Sequence, residues 1–218
     1  MQITGLYEAY PLADVAELPA FLATHPHISG LNVTIPHKQS VLPYLHEIDE
    51  MVVVTTACNC ISIRNGYRKG YNTDVIGFEQ SLIPLLRPQH TMALILGNGG
   101  GSKAVKYVLM QLGIPFSVVS RENSRRTLSY ANLTPAVIDA HKLIINTTPL
   151  GMYPDVGIAP SIPYEAIGDQ HLLYDLIYNP EETQFLANGR ERGAATKNGF
   201  EMLLLQAEAS WDVWTRPE

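Results

Sequence analysis

Short, continuous apolar runs recur in the second half of the chain, separated by segments whose apolar residues recur at helical spacing. Runs of this kind are typical of strands that are buried on both faces of a sheet. The pattern predicts buried strands over 91–96, 115–120, 143–146 and 172–176, and a helix over 103–112. Because strands alternate with helices, we expect an α/β protein with a parallel sheet covered on both faces.

The first third of the chain mixes helical spacing with strict alternation of apolar and polar residues. The pattern predicts, in order, a helix over 12–24, a strand over 31–35, a helix over 39–45 interrupted by Pro43, strands over 55–63 and 67–71, and a helix that begins near Val75. Asn65-Gly66, between the last two strands, is a strong signal for a hairpin turn.

Composition and charge limit the class of partner. The 218 residues are 46% apolar and 17% charged, as is typical of globular proteins. The net charge is −6 and no basic run occurs, which argues against nucleic acid as the main partner. No apolar stretch approaches the length of a membrane span, and the N-terminus has no signal-like segment. We therefore expect no membrane association and a cytoplasmic location.

The two cysteines, Cys58 and Cys60, flank Asn59 on a predicted strand. Cysteines at this separation rarely form an unstrained disulfide, and the seven histidines give no matching metal cluster. We expect two buried thiols and no metal site.

A candidate site for chemistry lies at the end of the strand predicted over 31–35. Alternate residues of a strand share a face, so Asn32 and Thr34 are expected to point the same way. Pro36 ends the strand and Lys38 follows it, so an amide, a hydroxyl and an ammonium converge there. This set suits a site that grips a polyhydroxylated substrate and moves a proton at its carbonyl. The alternative is an exposed strand end with a solvated lysine.

A second candidate is the carboxylate of Asp74, in Gly70-Tyr-Asn-Thr-Asp-Val-Ile-Gly-Phe78. It stands where the first part of the chain gives way to a helix. The alternative is that Asp74 serves only as the N-cap of that helix.

Together the two segments resemble the N-V-T-[IV]-P-x-K and N-T-D-x-x-G motifs of shikimate dehydrogenases. Further motifs, in the same order along the chain, extend the resemblance almost to its end. They are Gly97-Asn-Gly-Gly-Gly-Ser-Lys-Ala-Val105, Asn146-Thr-Thr-Pro-Leu-Gly-Met152, Asp175-Leu-Ile-Tyr-Asn-Pro180 and Asn198-Gly-Phe-Glu-Met-Leu-Leu-Leu-Gln206.

The resemblance implies a two-lobed α/β fold with the active site in the cleft between the lobes. Residues 1–73 with 199–218 would form a substrate-binding, catalytic lobe, and residues 74–198 a Rossmann-like NADP-binding lobe. The implied activity is an NADP-dependent oxidoreductase that interconverts shikimate and 3-dehydroshikimate in aromatic amino-acid biosynthesis. Two alternatives stay open: a non-catalytic nucleotide-binding relative, and an oxidoreductase for a related substrate such as quinate. A homodimer is also a possible state.

The resemblance also assigns roles in the cleft. Lys38 and Asp74 would form the catalytic pair, in which the ammonium gives a proton to the alkoxide left by hydride transfer and the carboxylate holds it. The positions that match substrate contacts are Asn32, Thr34, Asn59, Tyr178 and Gln206. Such an amide-rich pocket suits a polyol.

The glycine loop follows a predicted strand and opens a helix, which is the context of a dinucleotide fingerprint. Glycines let the backbone approach a pyrophosphate, and the helix N-terminus offers free N–H groups. Ser102 stands where the general fingerprint has a glycine, as in the family's own loop. The expected cofactor contacts are Gly97, Asn98, Gly99, Gly100, Gly101, Ser102, Thr147 and Gly199.

The end of the next strand bears on the choice between NAD and NADP, because NAD sites place a carboxylate there and NADP sites an arginine. Arg121 stands at this point and Arg125 follows four residues later, which resembles the family's N-R-T-x-x-R phosphate clamp. NADP is therefore expected. Glu122 replaces the family's usual hydroxyl and would weaken phosphate binding. The alternative is two surface arginines on a solvated loop.

Family members begin with a strand, a Ser-x-Ser pair that binds the substrate carboxylate, and a helix. Residues 1–12 resemble the family's second strand, so this first βα unit is expected to be absent here. Three explanations stay open: an internal start of a longer protein, a second chain or rearranged strand in the same place, or a relative that binds nucleotide without turning over shikimate.

Overall fold

The computed structural model describes residues 5–121 and 127–216, which form two β-sheets flanked by helices. The strands of the first sheet are β1 (Gly30–Asn32), β2 (Glu47–Ile48), β3 (Cys60–Arg64) and β4 (Tyr67–Tyr71). Those of the second are β5 (Ala93–Leu96), β6 (Phe116–Ser120), β7 (Leu128–Ser129), β8 (Leu143–Asn146), β9 (Leu172–Asp175) and β10 (Ala195–Lys197). The helices are α1 (Leu18–Thr24), α2 (Glu50–Thr55), α3 (Thr73–Leu82), α4 (Gly100–Gln111), α5 (Pro135–Ala140), α6 (Gln184–Glu191) and α7 (Phe200–Thr215).

The second sheet is parallel throughout, with the strand order β10-β9-β8-β5-β6-β7. Its central strands β5, β8 and β9 are buried along their whole length. Ile95 and Tyr174 face a core that includes residues of α3 and α4, whereas Leu94 and Leu173 face a core that includes residues of α5 and α6. The predicted α/β class, with a parallel sheet covered on both faces, is therefore confirmed.

The first sheet is mixed, with the order β1-β3-β4-β2. β3 pairs antiparallel with β1 and β4, and β2 pairs parallel with β4. The hairpin predicted at Asn65-Gly66 is confirmed, because both residues have positive φ (50° and 78°), as its tight turn requires. The strand predicted over 31–35 ends at Asn32.

Two helix predictions in this part of the chain need correction. The helix predicted over 39–45 is wrong: the segment holds only a 3-10 turn over Leu42–Tyr44, because Pro43 cannot continue a helical ladder. The helix predicted over 12–24 is shorter and consists of α1 after a 3-10 turn over Val15–Glu17.

The strand predicted over 55–63 begins only at Cys60, because the chain before it forms α2. Val52, Val53 and Val54 favour a strand by propensity. The side chain of Asp49 nevertheless caps a helix here by accepting the N–H of Val52 at 2.8 Å. Thr56 then ends this helix with a left-handed backbone (φ 50°).

Helix α7 packs closely on α3 and reaches the first sheet. A Cβ atom added at Gly77 would lie only 2.6 Å from the carbonyl oxygen of Met202, so the two backbones can approach only at a glycine. Further along α7, the indole of Trp214 donates to the carbonyl of Ile61 at 3.0 Å. On its other side α3 packs through Phe78 against Tyr174 of β9. Helix α3 therefore contacts both α7 and the second sheet.

Cys58 and Cys60 are free and buried, which confirms the expected buried thiols. Burial raises the pKa of each thiol to about 12. Neither thiol is therefore a reactive nucleophile at neutral pH. None of the described helices combines the length and apolar character needed to cross a membrane.

Three buried histidines, His90, His141 and His171, lie in the loops that lead into the second sheet, and the rings of two of them accept backbone N–H groups. The Nδ1 atoms of His90 and His171 accept the backbone N–H groups of Arg87 and Gly168, each at 3.1 Å. Burial lowers the pKa of both imidazoles. Both rings are therefore held in the neutral form, because a protonated Nδ1 could no longer accept these bonds.

Acid should destabilise the fold through these rings. Because their pKa is lowered in the folded state, the unfolded chain takes up protons first as the pH falls below about 6.5, and stability is lost as the pH falls further through the folded pKa values. We expect a lower urea midpoint at about pH 5.5 than at about pH 7.5, and a smaller difference between the two in His171→Gln. The exposed His27 supplies the control, since His27→Gln should keep the wild-type difference. An undiminished difference in His171→Gln would contradict the assignment.

Candidate active site

The two predicted catalytic residues form an ion pair. Lys38 Nζ lies 2.6 Å from Asp74 Oδ2, and the two side chains are only 19% and 13% exposed. Asp74 lies in the first turn of α3, where the partial positive charge of the helix N-terminus favours a carboxylate. The N-cap of α3 is Asn72, so the alternative that Asp74 serves as the cap is wrong.

Asn59, just before β3, holds the carboxylate from its other side. Its Nδ2 donates to Asp74 Oδ1 at 2.9 Å, and its Oδ1 accepts the backbone N–H of Thr73 at 2.7 Å. The same amide reaches Gln206 Oε1 on α7, at 3.4 Å. Four residues that the sequence assigns to the cleft, Lys38, Asn59, Asp74 and Gln206, thus lie in one cluster.

Asn32 and Thr34 are not on one strand face as expected. Because β1 ends at Asn32, Thr34 lies outside it, exposed, with its hydroxyl 3.4 Å from the carbonyl of Ile35. The side-chain oxygen of Asn32 is buried and has no hydrogen-bond partner within the described part of the chain. A buried acceptor of this kind is costly unless a ligand or water satisfies it.

The glycine loop connects β5 to α4, as predicted. Gly97 has a φ of +104°, and a Cβ atom added there would lie 2.8 Å from the hydroxyl oxygen of Thr147. A Cβ atom added at Gly99 or Gly100 would meet nothing within 4 Å. Helix α4 begins with no side-chain cap, so the N–H groups of its first turn face this open space. The loop therefore leaves free N–H groups beside open space, an arrangement that suits an anion.

Ser102 and Thr147 secure the loop. The Ser102 hydroxyl donates to the carbonyl of Gly99 at 2.7 Å, and the Thr147 hydroxyl donates to the carbonyl of Leu96 at 2.8 Å. Asn98 is exposed and accepts a hydrogen bond from Lys106 Nζ. These side chains are thus engaged in shaping the loop.

Lys103 is a residue of this region that sequence reasoning missed. Its Nζ donates to the hydroxyl of Thr56 at 2.6 Å and to the Thr56 carbonyl at 3.2 Å. Burial lowers the pKa of Lys103. The bond ties the first turn of α4 to the end of α2, three residues before Asn59. No sequence pattern could have indicated it, since Thr56 was expected on a strand.

The expected position of Gly199 beside the cleft has a packing explanation. A Cβ atom added there would overlap the carbonyl oxygen of Leu176, and the Gly199 N–H donates to the Ile177 carbonyl at 3.0 Å. Gly101 also packs against Leu176, at 3.0 Å from its side chain to an added Cβ. Close packing therefore accounts for both glycines without a ligand. Tyr178, in the adjoining turn, is 48% exposed.

Asp175 is a second residue whose role the sequence did not reveal, although it lies in a quoted motif. Its buried carboxylate accepts hydrogen bonds from Asn146 Nδ2 (3.0 Å), the Ile177 N–H (3.0 Å) and the Thr183 hydroxyl (2.6 Å). Burial raises the pKa of Asp175 to about 6. The carboxylate fixes the turn that carries Tyr178.

Arg121 directly follows β6 and is exposed. Because β5 and β6 are parallel neighbours, Arg121 and the glycine loop lie at the same edge of the sheet. Arg125 and Glu122, the other two residues of the expected phosphate clamp, lie outside the described residues.

Comparisons with known proteins agree with this geometry. A family model described as the shikimate dehydrogenase substrate binding domain matches residues 1–61. A shikimate dehydrogenase (NADP(+)) from Methanosphaera stadtmanae is 38% identical over 206 residues, which covers 87% of this chain and 73% of that protein.

Solved structures give the same result. A chorismate mutase/shikimate 5-dehydrogenase fusion protein from Clostridium acetobutylicum is 33% identical, with a TM-score of 0.81 over 92% of this chain and 76% of that one. Shikimate 5-dehydrogenase from Thermus thermophilus, in complex with NADP(H) and shikimate, is 26% identical, with a TM-score of 0.82 over 93% of this chain and 79% of that one. Sequence identity over most of both chains, together with the shared fold, shows that this chain belongs to the shikimate dehydrogenase family.

Proposed function

We propose that the chain is an NADP-dependent oxidoreductase that interconverts shikimate and 3-dehydroshikimate, a step of aromatic amino-acid biosynthesis. The observation that carries the proposal is the 2.6 Å contact between Lys38 Nζ and Asp74 Oδ2, supported by Asn59. The relative from Methanosphaera stadtmanae bears the name of this activity, and the structure from Thermus thermophilus holds NADP(H) and shikimate.

The residues of the glycine loop fit a dinucleotide. The open space at Gly99 and Gly100 leaves room for a pyrophosphate, and the uncapped N-terminus of α4 supplies N–H donors for it. Arg121, at the end of β6, would hold the 2′-phosphate that distinguishes NADP from NAD. When bound, the cofactor supplies or accepts the hydride.

Lys38 would move the proton of the reaction. Oxidation of shikimate removes a hydride from a ring carbon and a proton from the hydroxyl on it, and reduction of the ketone restores both. In the direction of reduction the Lys38 ammonium, held by Asp74, gives a proton to the forming alkoxide and becomes a neutral amine. In the direction of oxidation the neutral amine takes the hydroxyl proton and becomes the ammonium. Because Asn59 occupies Asp74 Oδ1, the other carboxylate oxygen stays directed at Lys38.

Gln206 and Asn32 would orient the substrate hydroxyls. Asn32 Oδ1 is an acceptor without a partner among the described residues. Gln206 Oε1 is held only weakly by Asn59, at 3.4 Å, while its Nε2 is fixed by the Leu203 carbonyl at 2.9 Å. Both amide oxygens can therefore accept a hydrogen bond from a ligand. Thr34 is exposed near the same strand end. A polyol with several hydroxyls satisfies such a set better than a simple ketone does.

The division into lobes stays a proposal. Residues 1–73 with 199–218 would form the substrate lobe around the first sheet, and residues 74–198 the nucleotide lobe around the second. The family model for the substrate binding domain, which matches residues 1–61, supports the first unit. A cytoplasmic location and a homodimer stay predictions as well.

The first test is turnover by the chain itself. We expect saturable reduction of NADP with shikimate, followed by absorbance of the reduced nicotinamide, and a lower kcat/KM with quinate or with NAD. Equal kcat/KM values for shikimate and quinate would contradict the proposed substrate. Binding of NADPH without turnover of either would favour the non-catalytic alternative.

Loss of the catalytic pair should abolish most of the activity. In Lys38→Ala we expect kcat to fall by about 10²–10⁴, which is the usual contribution of a positioned acid–base group, with the KM for NADP unchanged. Lys69→Ala is the matched control, because Lys69 pairs with Glu47 on the sheet, outside this cluster. Near-normal turnover by Lys38→Ala would refute the assigned role.

Arg121 should determine the preference for NADP. In Arg121→Ala we expect the KM for NADP to rise about ten- to a hundredfold, since a hydrogen bond to a charged group contributes about 1.5–3 kcal/mol and about 1.4 kcal/mol corresponds to tenfold. The kinetics with NAD should not change. Arg87→Ala, an exposed arginine in the loop before β5, should have no effect on either. An equal loss with NAD and NADP would contradict the assignment.

A further inference from the structure

Ser210 of α7 has a fully buried hydroxyl that lies behind the polar cluster. Its Oγ is 2.9 Å from the hydroxyl oxygen of Thr73 and 2.9 Å from the carbonyl oxygen of Gln206, one turn earlier in the same helix. No motif pointed to Ser210, and none of the steps proposed above uses it.

The direction of each hydrogen bond in this series, from Asn59 to α7, follows from which groups can only donate and which can only accept. The backbone carbonyl of Gln206 can only accept, so the Ser210 hydroxyl donates its proton to it. The Ser210 oxygen is then left with only lone pairs for its other partners. The Thr73 hydroxyl therefore donates to Ser210. Its own lone pair then accepts from Asn59 Nδ2, at 2.9 Å. The bonds run in one direction from Asn59 through Thr73 to Ser210 and the backbone of α7.

The oxygen and the nitrogen of the Asn59 side-chain amide are both fixed by these hydrogen bonds. The backbone N–H of Thr73 can only donate, so Asn59 Oδ1 must face it, and Nδ2 must face Asp74 and the Thr73 hydroxyl. The two hydrogens of Nδ2 are thus directed at Asp74 and Thr73, each at 2.9 Å, and Gln206 Oε1 is a more distant third acceptor at 3.4 Å. Without Ser210, the Thr73 hydroxyl would turn its proton to Asn59 Oδ1, 3.2 Å away, and its lone pair would leave Nδ2.

The backbone around Ser210 is too closely packed for another group to replace its hydroxyl as the acceptor for Thr73. One turn further along α3 from Thr73, the close approach at Gly77 brings α3 against Met202 and Gln206 of α7. Thr73 and Ser210 are themselves buried, at 1% and 0% exposure. A buried hydroxyl that loses its acceptor in such a place cannot turn to bulk solvent instead.

We propose that Ser210 is a positioning residue for the proposed reaction: through Thr73 it holds the Asn59 amide in the orientation that supports the Lys38–Asp74 pair. The inference rests on the proposed function. Ser210 does not touch the reacting atoms, and its effect reaches them only through Asn59.

The test compares Ser210→Ala with Ser81→Ala. Ser81 of α3 is a matched control, because it is 1% exposed, donates to the carbonyl one turn earlier at 2.7 Å, and bonds another hydroxyl, that of Tyr174, at 2.6 Å. In Ser210→Ala we expect kcat to fall about five- to thirtyfold, which corresponds to about 1–2 kcal/mol. The KM for shikimate should rise with it, whereas the KM for NADP should not change. Ser81→Ala should lower the free energy of unfolding by a similar amount but leave kcat and the KM for shikimate unchanged.

Ser210→Thr keeps the hydroxyl and should restore most of kcat. If Ser210→Ala does not fold, Ser210→Cys keeps the volume but has a weak hydrogen-bonding group, and should give the same pattern of losses. Wild-type kcat in a folded Ser210→Ala or Ser210→Cys would overturn the proposal. An equal fall of kcat in Ser81→Ala would overturn it too, because the effect would then be one of general stability.

A second readout does not depend on turnover. The side-chain amide protons of Asn59, followed by NMR in a chain labelled with nitrogen-15, should exchange with solvent at least several times faster in Ser210→Ala than in the wild type or Ser81→Ala. If the wild-type chain does not oxidise shikimate, the proposed function fails while this exchange rate still tests Ser210. Unchanged exchange would refute the positioning role whatever the activity.

Discussion

The close packing of α3 against α7 is the constraint on which the rest of the site depends. At Gly77 the two helices approach to a distance that leaves no room for a Cβ atom. This contact brings Gln206 and Ser210, from the last helix, to residues that follow the first sheet. On its other face α3 packs on β9 through Phe78. One helix thus fixes the Asp74 carboxylate relative to both sheets.

The polar cluster is stable because each buried group has a defined partner. Asp74 is satisfied by Lys38 on one oxygen and by Asn59 on the other. Leaving a buried carboxylate or ammonium unpaired would cost several kcal/mol, whereas a satisfied network becomes a rigid unit. Outside this cluster, the buried side-chain oxygens of Asn32, Asn72 and Tyr130 have no partner within the described residues. The cluster is therefore organised around the Lys38–Asp74 pair, and unused acceptors remain outside it.

The sequence predicted the central strands of the second sheet better than the elements around the first sheet, although it did not predict β7 and β10 at the edges of the second. Strands such as β8 read as unbroken apolar runs because both faces are buried, so burial and periodicity agree. Around the first sheet, local signals were weaker: the strand predicted from residue 55 begins only at Cys60, after α2, and Pro43 broke a helix that apolar spacing suggested. Lys38 and Asp74 were paired only through resemblance, because no local pattern reports a contact across 36 residues. Lys103 and Ser210 could not be found at all, since their partners depend on tertiary packing.

The place of α7 in the chain has a consequence for the order of folding. Asn59 and Gln206 are 147 residues apart, and Thr73 and Ser210 are 137 apart, so these contacts close very long loops. On the ribosome, the strands of both sheets are synthesised before α7. The glycine loop also precedes α7, so it can take its shape before the support behind Asn59 is complete. Nascent chains would therefore acquire the glycine-loop surface before this support.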